Sequence, residues 1–296
     1  MNDILTYFAA NGPISDPGPY AYLLDGLPEE VPELCRLIQG THVHAFWGES
    51  YGYTIPDDRK DEVQLRTVER RLAHLIQLDP RPLTQARPVE RRLVGNCRDF
   101  ALMLACILRH QGRAARARCG FGAYFLPGRY EDHWVCEVWN VEEMRWVLVD
   151  AQLDEVQCRA LQIPFDPLDV PRGQFITGGR AWQMCRSGEA DPDHFGIFDM
   201  HGLWFVRGDL IRDVAALNKM ELLPWDSWGL MEEAHYPFPE DELAFLDHVA
   251  DLSGGDVPDF WSLERLYETD TRLHVPDEIK SYARTGVLTE QLGVRV

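Results

Sequence analysis

Three side chains in this sequence could together break and remake a carbonyl bond: the thiol of Cys97, the imidazole of His133 and the carboxylate of Asp150. A thiolate is a strong nucleophile, and a histidine beside it can take its proton. An acidic residue can then hold the imidazole in the tautomer and orientation that proton transfer needs. Asn96 stands where a helix N-cap belongs, which puts Cys97 in the first turn of the helix that follows. There the positive end of the helix dipole favours the thiolate, and free backbone N–H groups can hold an oxyanion. A solitary buried cysteine usually does no more than fill space. His133 and Asp150 are what turn Cys97 into a candidate nucleophile.

The elements that must position these groups can be read from the residues around them. Residues 100–108 are almost wholly apolar, rich in good helix formers and poor in β-branched types, and Gly112 follows as a stop. This predicts a buried helix. Beyond Gly112 the pattern predicts strands over 115–125, 133–139 and 145–151, the last two joined by a charged turn around 141–143. If the hairpin turns between Val141 and Glu142, facing residues have numbers that sum to 283, and His133 faces Asp150. Cross-strand neighbours of this kind hold their β-carbons about 5 Å apart. A slightly longer turn makes the pair diagonal. Trp134, Val135, Val138, Trp146, Val147 and Leu148 make the hairpin apolar on both faces, so the pair is not expected at an exposed edge.

Three motifs carry a family likeness. Gly95-Asn96-Cys97-Arg98-Asp99-Phe100-Ala101 before an apolar helix resembles the nucleophile segment of the transglutaminase-like superfamily. Asp132-His133-Trp134-Val135-Cys136-Glu137-Val138 resembles its histidine strand, and Arg145-Trp146-Val147-Leu148-Val149-Asp150 its aspartate strand. The resemblance covers roughly residues 60–155. It departs from the usual pattern at Val135, where the family commonly has Trp, and at Ala151, where it commonly has Pro. It implies an α+β fold with a papain/transglutaminase-like core, in which the cysteine helix packs on an antiparallel sheet bearing the histidine and aspartate. It also implies an acyl-enzyme mechanism. Members of the superfamily include cross-linking transglutaminases, peptide N-glycanases, bacterial proteases and amide-forming biosynthetic enzymes, so the likeness bears on chemistry more than on substrate. In this family a side-chain oxyanion donor comes from upstream of the cysteine helix. Trp47 is the candidate here, since an indole N–H can donate into an apolar site, although packing alone would also account for it.

Elsewhere the sequence mainly sets bounds. With 48 acidic and 29 basic residues the 296-residue chain carries a formal charge of −19, which argues against nucleic acid or an anionic membrane as partner. The opening residues show no secretory pattern, and no apolar run is long enough for a membrane span. Seven cysteines in no close pairs read as reduced thiols in a cytoplasm. His42 and His44 lie two apart without a clustered partner, so no metal and no cofactor is expected. The aspartates 191, 193, 199 and 209 do not make the regular loop of a calcium site. Helices are expected over 32–39, 61–78, 210–222, 240–252 and 261–267, while the Pro- and Gly-rich stretch from 164 to 179 reads as surface connections. Trp182, Phe195, Phe198, Trp204, Phe205, Trp225 and Trp228 either line a groove or pack an extension onto the core, and the acidic stretch 232–270 reads as a solvated face. The organisation expected is an N-terminal extension (1–58), a catalytic core (59–160) and a C-terminal extension (161–296) in one globule.

The expected activity is therefore attack by Cys97 on an amide or thioester of a peptide or small molecule. Water then releases the acyl group, or an amine captures it to form a new amide, and the two outcomes stand nearly level. A catalytically silent peptide-binding module of the same fold is the alternative. An oxidation-sensing thiol, with Cys136 as resolving partner, is a third reading.

Overall fold

The computed structural model describes residues 2–233 and 237–293 and is mixed α+β. Its contacts divide it into two units, and the chain passes between them within strands β3 (Ala115–Gly122) and β4 (Tyr130–Asn140). Unit 1 comprises the chain up to Ala117 together with Trp134–Pro171; unit 2 comprises Arg118–His133 and the chain from Arg172 onward.

Unit 1 is built around the apolar helix anticipated from the sequence. After α1 (Asn2–Phe8) come α2 (Val31–Thr41), β1 (His42–His44), α3 (Val68–Leu78), β2 (Leu93–Gly95) and α4 (Cys97–His110). Every α4 residue from Cys97 to Arg109 is buried, and α2 and α3 pack against it. Strands β1 and β2 pair in parallel, His42 with Leu93 through His44 with Gly95, and the Ala45 N–H extends the ladder to Gly95 O at 2.8 Å. Strand β4 from Cys136 to Asn140 pairs antiparallel with β5 (Arg145–Val149), and α5 (Glu155–Leu161) follows. Under the hairpin Arg116 lies over the Trp146 ring at 4.1 Å and donates to Glu137 at 2.6 Å.

In unit 2 the later part of β3 pairs antiparallel with β6 (Phe175–Thr177). The start of β4 pairs in parallel with β7 (Phe195–Ile197), which turns back into β8 (Met200–His201). Helices α6 (Gly178–Ser187), α7 (Leu203–Leu217), α8 (Glu240–Ser253) and α9 (Phe260–Thr269) pack together, and β9 (Asp226–Ser227), β10 (Glu278–Ala283) and β11 (Gly286–Gln291) form a small antiparallel sheet. Trp182, Phe195, Phe205 and Trp228 are core residues of this unit, whereas Phe198 and Trp204 are exposed.

Four sequence expectations need correction. The helix expected over 61–78 is broken: Asp57–Gln64 is a 3-10 helix, and α3 starts afresh at Val68. Thr67 causes the restart, its backbone extended and its hydroxyl accepting the Arg70 N–H at 3.3 Å. The helix expected over 210–222 begins seven residues earlier, at Leu203, and stops at Leu217, after which Lys219 takes a left-handed conformation (φ 61°). The Gly178-Gly179 pair, read as part of a loop, opens α6 and is buried. A β-carbon on Gly178 would lie 2.5 Å from Asp209 O, and one on Gly179 2.4 Å from Ser253 Oγ, so both glycines serve the close approach of α6 to α7 and α8. The hairpin register also differs, with consequences taken up below.

Candidate active site

Cys97 is the first residue of α4, and the chain before it is fixed from two sides. Asn96 is extended (φ −124°, ψ 178°), as an N-cap should be. Its backbone N–H donates to Asp99 Oδ2 at 2.9 Å, the reciprocal half of a capping box, while its own side chain makes no cap bond. The Asp99 carboxylate is wholly buried between two equally buried guanidiniums, Arg98 Nη1 at 2.9 Å and Arg71 Nη1 at 3.0 Å. Gly95 makes that arrangement possible, for a β-carbon there would lie 2.7 Å from Arg71 Nη2 and 2.9 Å from Asp99 Oδ2. On the other side, β2 runs directly into α4 and is held by β1. The nucleophile candidate is thus anchored by a strand pair, a charge-assisted cap and a buried helix. Cys97 itself is 8% exposed, in contrast with the closed interior thiols Cys106, Cys119 and Cys136.

Asp150 follows β5 directly and is buried in unit 1. Its Oδ1 accepts the Gln152 N–H at 3.0 Å and its own N–H donates to Pro167 O at 2.8 Å, so both backbone and carboxylate are held. His133 lies on β4 just before the chain enters unit 1, three residues ahead of the first β5-paired residue, Cys136. Its buried ring meets Phe125 at 4.8 Å and Tyr124 at 5.8 Å, both edge-on.

The observed β4–β5 register pairs Cys136 with Val149 and Asn140 with Arg145, so facing residues sum to 285 instead of the expected 283. The turn is longer by two residues, 141–144, because Asn140 Oδ1 accepts the N–H groups of Glu142 and Glu143 at 3.0 and 3.1 Å and Met144 adopts a positive φ of 54°. Continued by one pair, this register sets Asp150 opposite Val135. A shift of two preserves side-chain alternation, so position 133, two before Val135, has the parity of position 150. The expected register of the hairpin is thus corrected by two residues.

Trp47 is half-buried and its backbone N–H donates to His44 O at 2.9 Å. Since His44 pairs with Gly95, the segment carrying Trp47 leaves the β1–β2 pair beside the start of α4. His42 and His44 place their rings 5.8 and 6.5 Å from that of Phe100 on α4. Burial lowers the His42 pKa well below its ordinary value and keeps the ring neutral.

One group of chemically capable residues was missed by sequence reasoning. Cys119, Asp132 and Asp209, all in unit 2, bring a sulfur and two carboxylate oxygens within 4.8 Å of one another. They come from β3, β4 and α7, and no spacing in the sequence signals them. Burial pushes the Asp132 carboxyl up to about 6, and the Asp209 carboxyl and the Cys119 thiol well above their usual ranges. No histidine belongs to this group, and so buried a thiol makes a poor nucleophile.

Residues 57–151 match the family model of the transglutaminase-like superfamily, so the chain carries a transglutaminase-like domain. That stretch includes Cys97, His133 and Asp150. Domains of this superfamily are in general cysteine-based acyl-transfer or proteolytic enzymes. No functionally curated protein and no solved structure matches the chain. No helix among the described residues is long and apolar enough to cross a membrane.

Proposed function

We propose that this protein is a cysteine-dependent acyl-transfer enzyme with Cys97 as nucleophile, His133 as general base and Asp150 as the group that orients the imidazole. The observation that carries the reading is the position of Cys97 as first residue of a buried helix, inside the stretch that matches the family. There the helix dipole stabilises the thiolate, and backbone N–H groups at a helix N-terminus can stabilise an oxyanion. His133 takes the thiol proton as Sγ attacks an amide or thioester carbonyl. The tetrahedral intermediate then collapses to a thioester on Cys97, and the imidazolium returns the proton to the departing amine or thiol. Water or an amine, deprotonated by His133, next attacks the thioester and frees Cys97. The Trp47 indole N–H is proposed as a further donor to the oxyanion. The acyl donor is a peptide or small-molecule amide or thioester. The charge of −19 favours cationic donors and amine acceptors over anionic ones. Seven unbridged cysteines suit a reducing compartment, and a cytoplasmic location is part of the proposal.

The test is alkylation by iodoacetamide, read cysteine by cysteine by mass spectrometry, in the wild type and in His133→Ala. One fast site, Cys97, slowed in the variant, is the expected result. Burial pushes the Cys35 and Cys185 thiols up to about 12, which disfavours their reactive thiolate form near neutral pH. They therefore serve as internal slow references. If Cys97 reacts no faster than these in either protein, the enzyme reading fails and a silent binding module takes its place.

A further inference from the structure

We propose that Cys119, Asp132 and Asp209 form a second site, independent of the thiol chemistry above, that binds a divalent transition-metal cation of the Zn2+ type. Their ligand atoms already lie within 4.8 Å of one another. In a tetrahedral zinc site the spacings are about 3.5 Å between sulfur and oxygen and about 3.3 Å between oxygens, from bond lengths of roughly 2.3 and 2.0 Å. Rotamer adjustments of about an ångström close that gap.

Two oxygens lack the partners that burial demands. Asp209 is 1% exposed and its Oδ2 has no hydrogen-bond partner, while Arg212 Nη1 donates to Oδ1 at 3.2 Å and the Cys119 thiol also interacts with the carboxylate. Asp132 Oδ1 is likewise buried without a hydrogen-bond donor. An unsatisfied buried carboxylate oxygen costs several kcal/mol unless a cation or a proton answers it. A cation competes with protons for these groups. Once the thiol and both carboxyls have released their protons, they and the Arg212 guanidinium carry a net charge of two minus, which one divalent ion cancels. The thiolate selects a soft or borderline metal over Mg2+ or Ca2+.

The site is also built rigidly. Asp213, one turn beyond Asp209 on the same face of α7, accepts the Cys119 N–H at 3.0 Å and two bonds from Arg118 at 2.9 and 2.8 Å. This clamps α7 to β3 next to the cluster. Gly178 lets the chain pass within contact of the Asp209 backbone. Three protein ligands leave a fourth coordination position for water or another small ligand. A metal here ties β3, β4 and α7 together within unit 2.

The test uses the full-length protein. Metal content is measured as purified, and chelator-treated protein is titrated with Zn2+ and Co2+, following thermal unfolding and the thiolate-to-cobalt charge-transfer band. The expected result is one equivalent bound per chain, a Zn2+-dependent rise in melting temperature, and loss of the cobalt band in Cys119→Ala. Asp209→Asn, which keeps shape and volume, is expected to weaken binding by more than the roughly 10–100-fold that loss of a ligand's outer partner costs. It also serves should Cys119→Ala fold poorly. Cys185→Ser, on α6 and outside the cluster, is expected to bind as the wild type does. No stoichiometric metal in the wild type would overturn the proposal. So would a cobalt band that survives in Cys119→Ala, or an Asp209→Asn variant that binds normally. Should Asp209→Asn instead be stabilised with no response to metal in either protein, the two carboxyls share a proton and there is no metal site.

Discussion

Replacing Asp99 by Ala should disturb the start of the cysteine helix more than any exposed substitution on it. The Asp99 carboxylate faces two guanidiniums, Arg71 and Arg98, with all three side chains fully buried. Removing one partner of a buried ionic group costs about 3–5 kcal/mol, because the remaining charge cannot be rehydrated. Loss of the Asn96 N–H acceptor adds about 1 kcal/mol. The two penalties overlap, as the same oxygen serves both roles, so about 4 kcal/mol is the working figure. That corresponds to nearly three decades in the folding equilibrium and is a large part of the 5–15 kcal/mol typical of a domain. With a urea m-value near 3 kcal/mol/M, the midpoint should fall by about 1.3 M. Urea unfolding followed by far-ultraviolet circular dichroism measures this. Asp99→Asn separates the contributions, since its amide oxygen still caps Asn96 while the charge is gone. A midpoint shift below about 0.3 M in Asp99→Ala would refute the reasoning, for it would mean that water or another anion reaches both guanidiniums.

The same logic makes further outcomes checkable. Gly95→Ala forces a methyl within 2.7 Å of Arg71 Nη2 and should destabilise by about 1–3 kcal/mol, measured by the same unfolding curve. Asp213→Asn strips the counter-charge from fully buried Arg118 and should cost about 3–5 kcal/mol, which thermal unfolding will register. Hydrogen bonds from Arg186 and Arg272 hold the carboxyls of Asp247 and Asp270 below their usual range. Since these folded pKa values are depressed, the stabilisation is complete above about pH 4 and is lost as pH falls through the folded values. Asp247→Asn should therefore flatten the acid limb of a melting-temperature profile, modestly, because the pair is partly exposed.

The parts of this molecule legible in the sequence are those whose signals are local. The apolar run of α4, its extended cap at Asn96 and the stop at Gly112 are written in consecutive residues, and the structure places the helix at the expected bounds. The hairpin was equally visible. Its register was not, because Asn140 captures two N–H groups and lengthens the turn by a choice between turn types that strand patterning does not encode. The break before α3 depended on one threonine preferring to cap a new helix over continuing an old one. Gly178-Gly179 reads as a loop in isolation, and its helical role appears only once α7 and α8 approach within contact distance. The cluster of Cys119, Asp132 and Asp209 is the extreme case, since its members lie on three elements up to 90 residues apart.

The short parallel pair of β1 and β2 has a kinetic meaning as well as a structural one. Pairing His42 with Leu93 closes a loop of 51 residues, at an entropic cost of about 3.5 kcal/mol before constants. Two three-residue strands recover that cost only when Val43, Ile55 and Val94 have formed their small apolar cluster. The loop is therefore expected to close late in folding, after the local contacts of α4 and the β4–β5 hairpin are made. Conservative truncation of Val43 or Val94 should speed unfolding while leaving the folding rate nearly unchanged. A nascent or heat-damaged chain then carries the helix but not yet the fixed approach to its first residue. With the role proposed for Cys97, its thiol is positioned for reaction only at the end of folding.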